Sequence, residues 1–257
     1  MGSALLKGWL ESGLNPIVAI EPAASPALKK LARAHGVALV DDIDEALQAP
    51  VGACVVALKP QILKTEAARL RAVAETGPLM LSIAAGTTIA QLGHAWGPSA
   101  QIVRAMPNTP GAVGRGITAL YAPRTVGAAQ KRLAESLLEG LGETVWVGSE
   151  DQIDAVTAVS GSGPAYAFLL VEALESAARR LGLPPAIAAR LARATVAGSG
   201  ALLEADNRPA AELRRDVTSP GGTTEAALKV LMAADGLETL MTRAVEAARD
   251  RAVALRQ

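Results

Sequence analysis

Residues 1–22 are MGSALLKGWLESGLNPIVAIEP, in which a helical pattern stands directly before a strand pattern. Apolar residues at positions 5–10 recur at helical spacing, and this pattern ends near Gly13. The short apolar run 17–20 follows, and Glu21 closes it. We therefore expect a helix that starts at residue 2, with no strand before it, and a strand directly after it.

The same alternation continues to about residue 147. Short β-rich runs, separated by amphipathic segments such as 60–75, occur at 17–20, 37–40, 54–57, 79–83 and 102–105. Strands that alternate with helices indicate a parallel sheet with helices on its faces. After about Ser149 the strand signals stop, and periodic alanine- and leucine-rich stretches follow at 151–181, 184–204, 208–217, 222–234 and 236–256. The last hundred residues are therefore predicted to be helical.

Composition excludes several classes of protein. Of the 257 residues, 25 are basic and 25 acidic, so the net charge of +0 offers no attraction to nucleic acid or to an anionic membrane surface. The single cysteine, Cys54, and two histidines exclude an intrachain disulfide and a cysteine-rich metal site. No apolar stretch has the length of a membrane span, and no export signal is evident. We expect a cytoplasmic protein with metal-free chemistry.

The low aromatic content bears on assembly. Only 2% of the residues are aromatic, so the helix faces must pack through small aliphatic side chains that bury little area each. Such helices need a further surface against which to bury their apolar side chains. We therefore expect a dimer.

Gly2 and Glu21 have the spacing of a dinucleotide-binding motif. Gly2 fits the third glycine of GxGxxG, and Glu21 stands about 20 residues later, where this motif places a carboxylate on the ribose 2′-hydroxyl. The preceding strand and the first two glycines would then lie before residue 1. The alternative for Glu21 is a turn residue between a strand and Pro22.

Three further loops follow predicted strands, at 57–60 (ALKP), 82–88 (SIAAGTT) and 106–110 (MPNTP). Ligands of open α/β sheets bind at the carboxyl ends of the strands. Lys59 is a candidate for a cofactor phosphate or ribose, with a solvated surface lysine as the alternative. The small residues of the other two loops would let a flat ring approach the backbone, or they simply form turns.

Two loops of the helical half could bind an anion. SGSGPAYAF, residues 160–168, opens a long helix with a proline in its first turn, although its glycines also suit a close helix crossing. DVTSPGGTTEAAL, residues 216–228, places Ser219 and Thr224 around a Pro-Gly-Gly turn before another helix. This helix start could hold a substrate carboxylate, and Thr224 can donate and accept a hydrogen bond. The alternative is an ordinary N-cap formed by Ser219 or Thr223.

Taken in order, the segments MGSA, ALKP, SIAAG, MPNTP, SGSGPAY and SPGGTT resemble the pyrroline-5-carboxylate reductase family over essentially the whole chain. The resemblance implies a Rossmann-like α/β domain lacking its first strand, residues 1–150, and an all-α dimerisation and substrate domain, residues 151–257. It implies the reduction of 1-pyrroline-5-carboxylate to L-proline with NADPH or NADH. It also implies a homodimer or a higher assembly built on dimers, with an imino acid as substrate.

The resemblance also assigns residues to the site. The cofactor-binding positions, including those proposed above from the motif, are Met1, Gly2, Glu21, Ala57, Leu58, Lys59, Pro60, Ile83, Ala84, Ala85 and Asn108. The substrate-binding positions are Glu150, Ser219, Gly221, Gly222, Thr223 and Thr224. Thr224 is the catalytic candidate, as the residue that hydrogen-bonds the ring nitrogen. For Glu150, the sequence alone indicates a helix-start charge.

The start of the chain departs from the family pattern, because about ten residues that carry the first strand and its glycines are missing. We interpret this as N-terminal truncation at the dinucleotide loop. Glu21 favours the 2′-hydroxyl of NADH, but many relatives use NADPH, so both cofactors stay open.

Two alternatives remain for the function, a non-catalytic relative that binds nucleotide or dimerises, and a β-hydroxyacid dehydrogenase. The latter class uses a lysine after the domain junction, and this chain has none between Lys131 and Lys229.

Overall fold

The computed structural model describes residues 1–256 and divides the chain into two compact units. The first unit comprises Met1–Gly161 together with Ala248–Gln257, and the second comprises Ser162–Ala247. The units thus change over at residue 161, whereas the sequence pattern predicted a domain boundary at residue 150. The last ten residues also return to the first unit, which no local pattern indicated.

The first unit alternates strands and helices. Its strands are β1 (Val18–Ile20), β2 (Ala38–Val40), β3 (Ala53–Val56), β4 (Leu79–Ser82), β5 (Gln101–Met106), β6 (Gly116–Tyr121) and β7 (Gly142–Trp146). Its helices are α1 (Gly2–Glu11), α2 (Pro26–His35), α3 (Ile43–Ala46), α4 (Pro60–Glu66), α5 (Arg71–Glu75), α6 (Ile89–Trp96), α7 (Ala128–Leu138) and α8 (Gln152–Val156). The expected helix that starts at residue 2 is confirmed, and so are the five predicted strands.

These strands form two separate sheets. β1 pairs with β2 in parallel, and a second sheet has the order β3-β4-β5-β6-β7. All neighbours in the larger sheet are parallel except β5 and β6, which are antiparallel. β1 and β3 thus each leave one edge without a ladder, where backbone groups are able to accept a further strand.

Helix α1 packs against both sheets. Leu5 lies in the core with Leu81 and Val103 of the larger sheet, while the next residue, Leu6, packs with Ala32 and Val37 beside the smaller one. Both leucines are buried. Two adjacent positions of one helix therefore tie the two sheets into one unit.

Three features differ from the sequence pattern. β6 and β7 were not among the predicted strands, and β6 runs against its neighbour, so the sheet is parallel-dominated rather than wholly parallel. The predicted single helix 60–75 is interrupted by a 3-10 turn at Ala67–Leu70. At that turn the Ala67 carbonyl accepts a hydrogen bond from Nε1 of the buried Trp96 at 3.0 Å. This contact with a distant helix gives a reason for the break.

The second unit is helical, as predicted. It contains α9 (Gly163–Arg180), α10 (Pro185–Ala205), α11 (Ala210–Asp216), α12 (Thr223–Leu231) and most of α13 (Leu237–Ala254). Helices α9, α11 and α12 contribute no buried residue within one chain. Large apolar side chains such as Phe168 and Leu202 are instead exposed. Among the described residues, every helix is too short or too polar to cross a membrane.

Candidate functional site

The predicted cofactor loops of the first unit follow neighbouring parallel strands. The loop that starts at Ala57 follows β3, the loop that starts at Ile83 follows β4, and the backbone N–H of Ile83 donates to the carbonyl of Val56 at 3.2 Å. Asn108 comes two residues after the end of β5. Because β3, β4 and β5 are parallel, their carboxyl ends meet at one edge of the sheet, where such folds bind ligands.

The start of α1 lies against the first of these loops. A Cβ built on Gly2 would come within 3.2 Å of the Cβ of Ala57, so a larger residue would press on the β3 loop. Met1 is the N-cap residue, no side chain caps the helix, and its first turn carries no acidic residue. The N–H groups of Ala4 and Leu5 donate to the Met1 carbonyl, so those of Gly2 and Ser3 are the ones available to an anion at this end of the ten-residue helix.

Glu21 takes part in a turn after β1. Its Oε1 accepts a hydrogen bond from the backbone N–H of Ala23 at 3.1 Å, and its own N–H donates to the Val40 carbonyl. The turn-residue interpretation of Glu21 therefore has a direct contact in the structure. The side chain is exposed, and Oε2 accepts no hydrogen bond within the described chain. Its role toward a ribose stays a prediction.

Lys59 and Asn108 occupy helix starts at this edge. Lys59 is exposed and is the N-cap residue of α4, with Pro60 in the first turn of that helix. Asn108 is half-buried, and its Oδ1 accepts a hydrogen bond from the backbone N–H of Ile117 at 3.0 Å. This bond orients the carboxamide, so that its NH₂ group remains for a ligand.

Glu150 is held in place by two donors. Its Oε1 accepts from the backbone N–H of Ile89, the first residue of α6, and from Nη1 of Arg104, both at 2.7 Å. The Arg104 side chain is 3% exposed and that of Glu150 is 22% exposed. This charge-assisted network joins β5, α6 and the segment that leads into α8.

We expect Glu150→Gln to lower the free energy of unfolding by about 2 kcal/mol, because the buried Arg104 would lose its charged acceptor. Chemical denaturation of the two proteins measures this change. Glu75→Gln is a matched control, since Glu75 pairs with Arg71 at 2.8 Å on the exposed surface of α5. An equal effect of both variants would contradict a structural role for the Arg104 pair.

The second unit presents the 219–224 loop at the start of α12. Gly221 has a positive φ of 71°, and the N-cap residue Gly222 has no side-chain cap. The expected alternative, an N-cap by Ser219 or Thr223, is therefore wrong. Thr223 and Thr224 lie in the first turn of this nine-residue helix, where backbone N–H groups are able to bind an anion. Oε2 of Glu225 already accepts the N–H of Gly221 at 2.6 Å.

The 160–168 segment begins at the end of an interruption between α8 and α9, and both of its open interpretations, anion binding and a close helix crossing, stay predictions. Residues Thr157–Gly161 form a π-helical turn, and a Cβ on Gly161 would lie 2.8 Å from the terminal methyl group of Met106, so this glycine packs closely against a flexible side chain. Pro164 lies in the first turn of α9, as predicted, and no side chain caps that helix. Interruptions of this kind are frequent at functional sites.

Sequence reasoning missed Arg104 and Arg256. Arg104 lies in the apolar strand run 102–105, and a charge inside such a run is a signal that could have been used. Arg256 forms ion pairs with Asp151 and Asp154, more than a hundred positions away, and no sequence pattern indicates them.

Comparison with known proteins places these motifs in one family. The family model for pyrroline-5-carboxylate reductase dimerisation matches residues 150–255. A pyrroline-5-carboxylate reductase of Pseudomonas aeruginosa is 41% identical over 99% of this chain and 93% of its own. The structure of a pyrroline-5-carboxylate reductase from Coxiella burnetii has a TM-score of 0.91 at 38% identity, covering 100% of this chain and 95% of that one. A Plasmodium falciparum pyrroline carboxylate reductase, solved with NADP bound, has a TM-score of 0.82 at 26% identity, covering 100% and 95%.

Proposed function

The chain belongs to the pyrroline-5-carboxylate reductase family, and we propose from this premise that it reduces 1-pyrroline-5-carboxylate to L-proline with NADH or NADPH. The observation that supports this most is the conjunction of two uncapped helix starts. One opens α1 beside the β3 loop, and the other opens α12 after the Pro-Gly-Gly turn. They suit the pyrophosphate of a dinucleotide and the carboxylate of an imino acid.

The residues of the first unit fit a dinucleotide. The N–H groups of Gly2 and Ser3 at the start of α1 provide donors for phosphate oxygens, and a side chain at residue 2 would crowd Ala57, since even a Cβ there would lie 3.2 Å from the Ala57 Cβ. Lys59 is placed to meet a phosphate or a ribose hydroxyl. The loop 83–85 and the oriented carboxamide of Asn108 would hold the nicotinamide end.

When bound, the reduced nicotinamide supplies a hydride to the C=N carbon of the pyrroline ring. The 219–224 loop binds the carboxylate of the substrate through the backbone N–H groups of the first turn of α12. Thr224 Oγ1 hydrogen-bonds the ring nitrogen, which gains one proton as the C=N bond becomes CH–NH. An imine nitrogen is basic enough to be protonated without a strong enzymic acid. The contribution of the protein is therefore mainly positioning.

Glu21 is proposed to disfavour NADPH, because its carboxylate would repel a 2′-phosphate. We expect Glu21→Ala to raise the NADPH-to-NADH ratio of kcat/KM about tenfold, as removal of a like charge relieves an unfavourable contact. Initial rates with both cofactors at fixed imino acid measure the ratio. Glu11→Ala is the control, because it also removes an exposed carboxylate, from the last residue of α1 and away from the helix start that is proposed to bind the dinucleotide. An unchanged ratio would contradict a role of Glu21 in cofactor preference and would leave only its hydrogen bond in the turn after β1.

Assembly into a homodimer is proposed for the second unit. The matched family model describes dimerisation, and α9 and α12, which have no buried residue within one chain, expose large apolar side chains such as Phe168 and Val230. A second copy would cover such helices as obligate partners do. A higher assembly built on dimers and a cytoplasmic location without nucleic-acid or membrane partners stay predictions.

The test is oxidation of NADH and of NADPH by the purified chain with 1-pyrroline-5-carboxylate, followed by identification of proline as the product. We expect stoichiometric formation of proline. Binding of dinucleotide without turnover would instead support the non-catalytic relative. Oxidation of a β-hydroxyacid with NAD(P)⁺ would support the dehydrogenase alternative, which the family membership does not favour.

A further inference from the structure

The carboxyl-terminal turn packs against the loop that follows β4. A Cβ built on Gly86 would lie 3.1 Å from the carbonyl oxygen of Leu255, so the two backbones are in close contact. Nε2 of Gln91 donates a hydrogen bond to the carbonyl oxygen of Arg256 at 2.6 Å. Gln91 also accepts from the backbone N–H of Thr88 at 2.8 Å within the capping box of α6. The end of the chain thus holds the segment that continues from the cofactor candidates 83–85.

The side chain of Arg256 reaches a second segment. Its Nη1 donates to Oδ1 of Asp151 at 2.9 Å, and its guanidinium forms an ion pair with Asp154. The Asp154 side chain is 3% exposed, so its carboxylate is buried. Among residues 1–256, Arg256 is the cation that pairs with it.

These two segments also meet at Glu150, the substrate candidate. Glu150 lies next to Asp151 and accepts the N–H of Ile89, the first residue of α6. The start of α6 is therefore held by Glu150 at Ile89 and by the terminal turn at Gln91. A planar guanidinium suits a site that must reach two carboxylates at once, which a lysine cannot match.

We propose that Arg256 is a positioning residue for dinucleotide binding, acting through a terminal clasp formed by Gln91, Asp151, Asp154, Leu255 and Arg256. The clasp fixes the position of the loop after β4 relative to the segment that carries Glu150. This inference depends on the proposed function only for the identity of the ligand. It accounts for the return of the end of α13, from Ala248 on, to the first unit.

A purely structural role is the competing interpretation, because Arg256 also neutralises a buried carboxylate. Arg256→Ala alone would leave the Asp154 charge unpaired and could unfold the protein. The double variant Arg256→Ala with Asp154→Asn has no buried charge at that position, so its stability should recover. It nevertheless lacks the guanidinium that joins the two segments.

The experiment measures the dissociation constants of NADH and NADPH by ligand fluorescence, together with KM, kcat and the melting temperature, on full-length variants. We expect both Arg256→Ala and the double variant to raise the dinucleotide Kd and KM about fivefold, the scale of coupling through a packed network. At saturating cofactor, kcat should change less than about twofold, because the reacting groups are intact. Arg256→Lys should restore the binding only in part.

Arg71→Ala is the matched control, because it removes an exposed arginine that pairs with a carboxylate at 2.8 Å. Its Kd should equal that of the wild type. If the double variant recovers both melting temperature and wild-type Kd, the positioning role is wrong and Arg256 serves stability alone. If the wild type binds dinucleotide but fails to reduce the imino acid, the proposed function is contradicted. The dinucleotide Kd values of the variants would still test the positioning role of Arg256.

Discussion

Thr224→Ala should lower kcat about 100-fold, since removal of one oriented hydrogen bond to a reacting group has effects of this size. Thr224 lies in the first turn of α12 and is half-buried, and no side chain caps this helix start. Its hydroxyl, which can donate or accept, is therefore the candidate hydrogen-bond partner of the ring nitrogen. Steady-state rates at saturating cofactor and imino acid measure the effect.

Thr224→Ser separates the hydroxyl from the methyl group, because it retains the hydrogen-bonding atom. This variant should keep kcat within about tenfold of the wild type. Thr242→Ala is the control in the same unit, where the hydroxyl only donates to the carbonyl of Glu238 at 2.9 Å. An unchanged kcat in Thr224→Ala would remove this residue from the mechanism, while the family membership would stand.

Phe168→Arg should convert the proposed dimer into monomers, with an increase of about 100-fold in the dimer dissociation constant. Phe168 lies on α9 and is 63% exposed within one chain, although it is the single phenylalanine of the protein. A large aromatic side chain in this position is suited to burial against a second copy, and a charge there would be left desolvated. Sedimentation velocity across a concentration series measures the shift.

Val145→Arg provides the comparison on the first unit. Val145 belongs to β7 and is also an exposed apolar residue, so the substitution changes polarity and size in a similar way. We expect it to leave the association state unchanged. If Phe168→Arg has the same dimer dissociation constant as the wild type, Phe168 on α9 lies outside the interface.

The extent of prediction from sequence differs between the two units. The helices of the second unit were anticipated closely, because proline and glycine interrupt a strong apolar period and mark where each helix ends. In the first unit the five runs with a buried strand pattern were found. β6 and β7 were missed, although residues 117–121 (ITALY) and 144–147 (TVWV) are also β-rich runs that come shortly after a glycine.

The candidate site was predictable where it depends on local backbone chemistry. The Pro-Gly-Gly turn before Thr223 opens a helix in the structure as its residues indicate, and Gly2 opens α1. The N-cap alternative for Ser219 or Thr223 was wrong, because the helix starts after Gly222 and its first N–H groups are left without a side-chain acceptor. The ligand roles of the site residues stay predictions.

By itself, the sequence determined the order of the helices and strands, the position of the glycine turns and the motifs of the family, because these depend on neighbours a few positions apart. Only the tertiary structure decided the split of the strands into two sheets and the antiparallel placement of β6. It also decided the partners of Glu150 and Arg256. These contacts join residues 46, 61 and 165 positions apart, and such pairings follow from the packing of whole elements rather than from any local pattern.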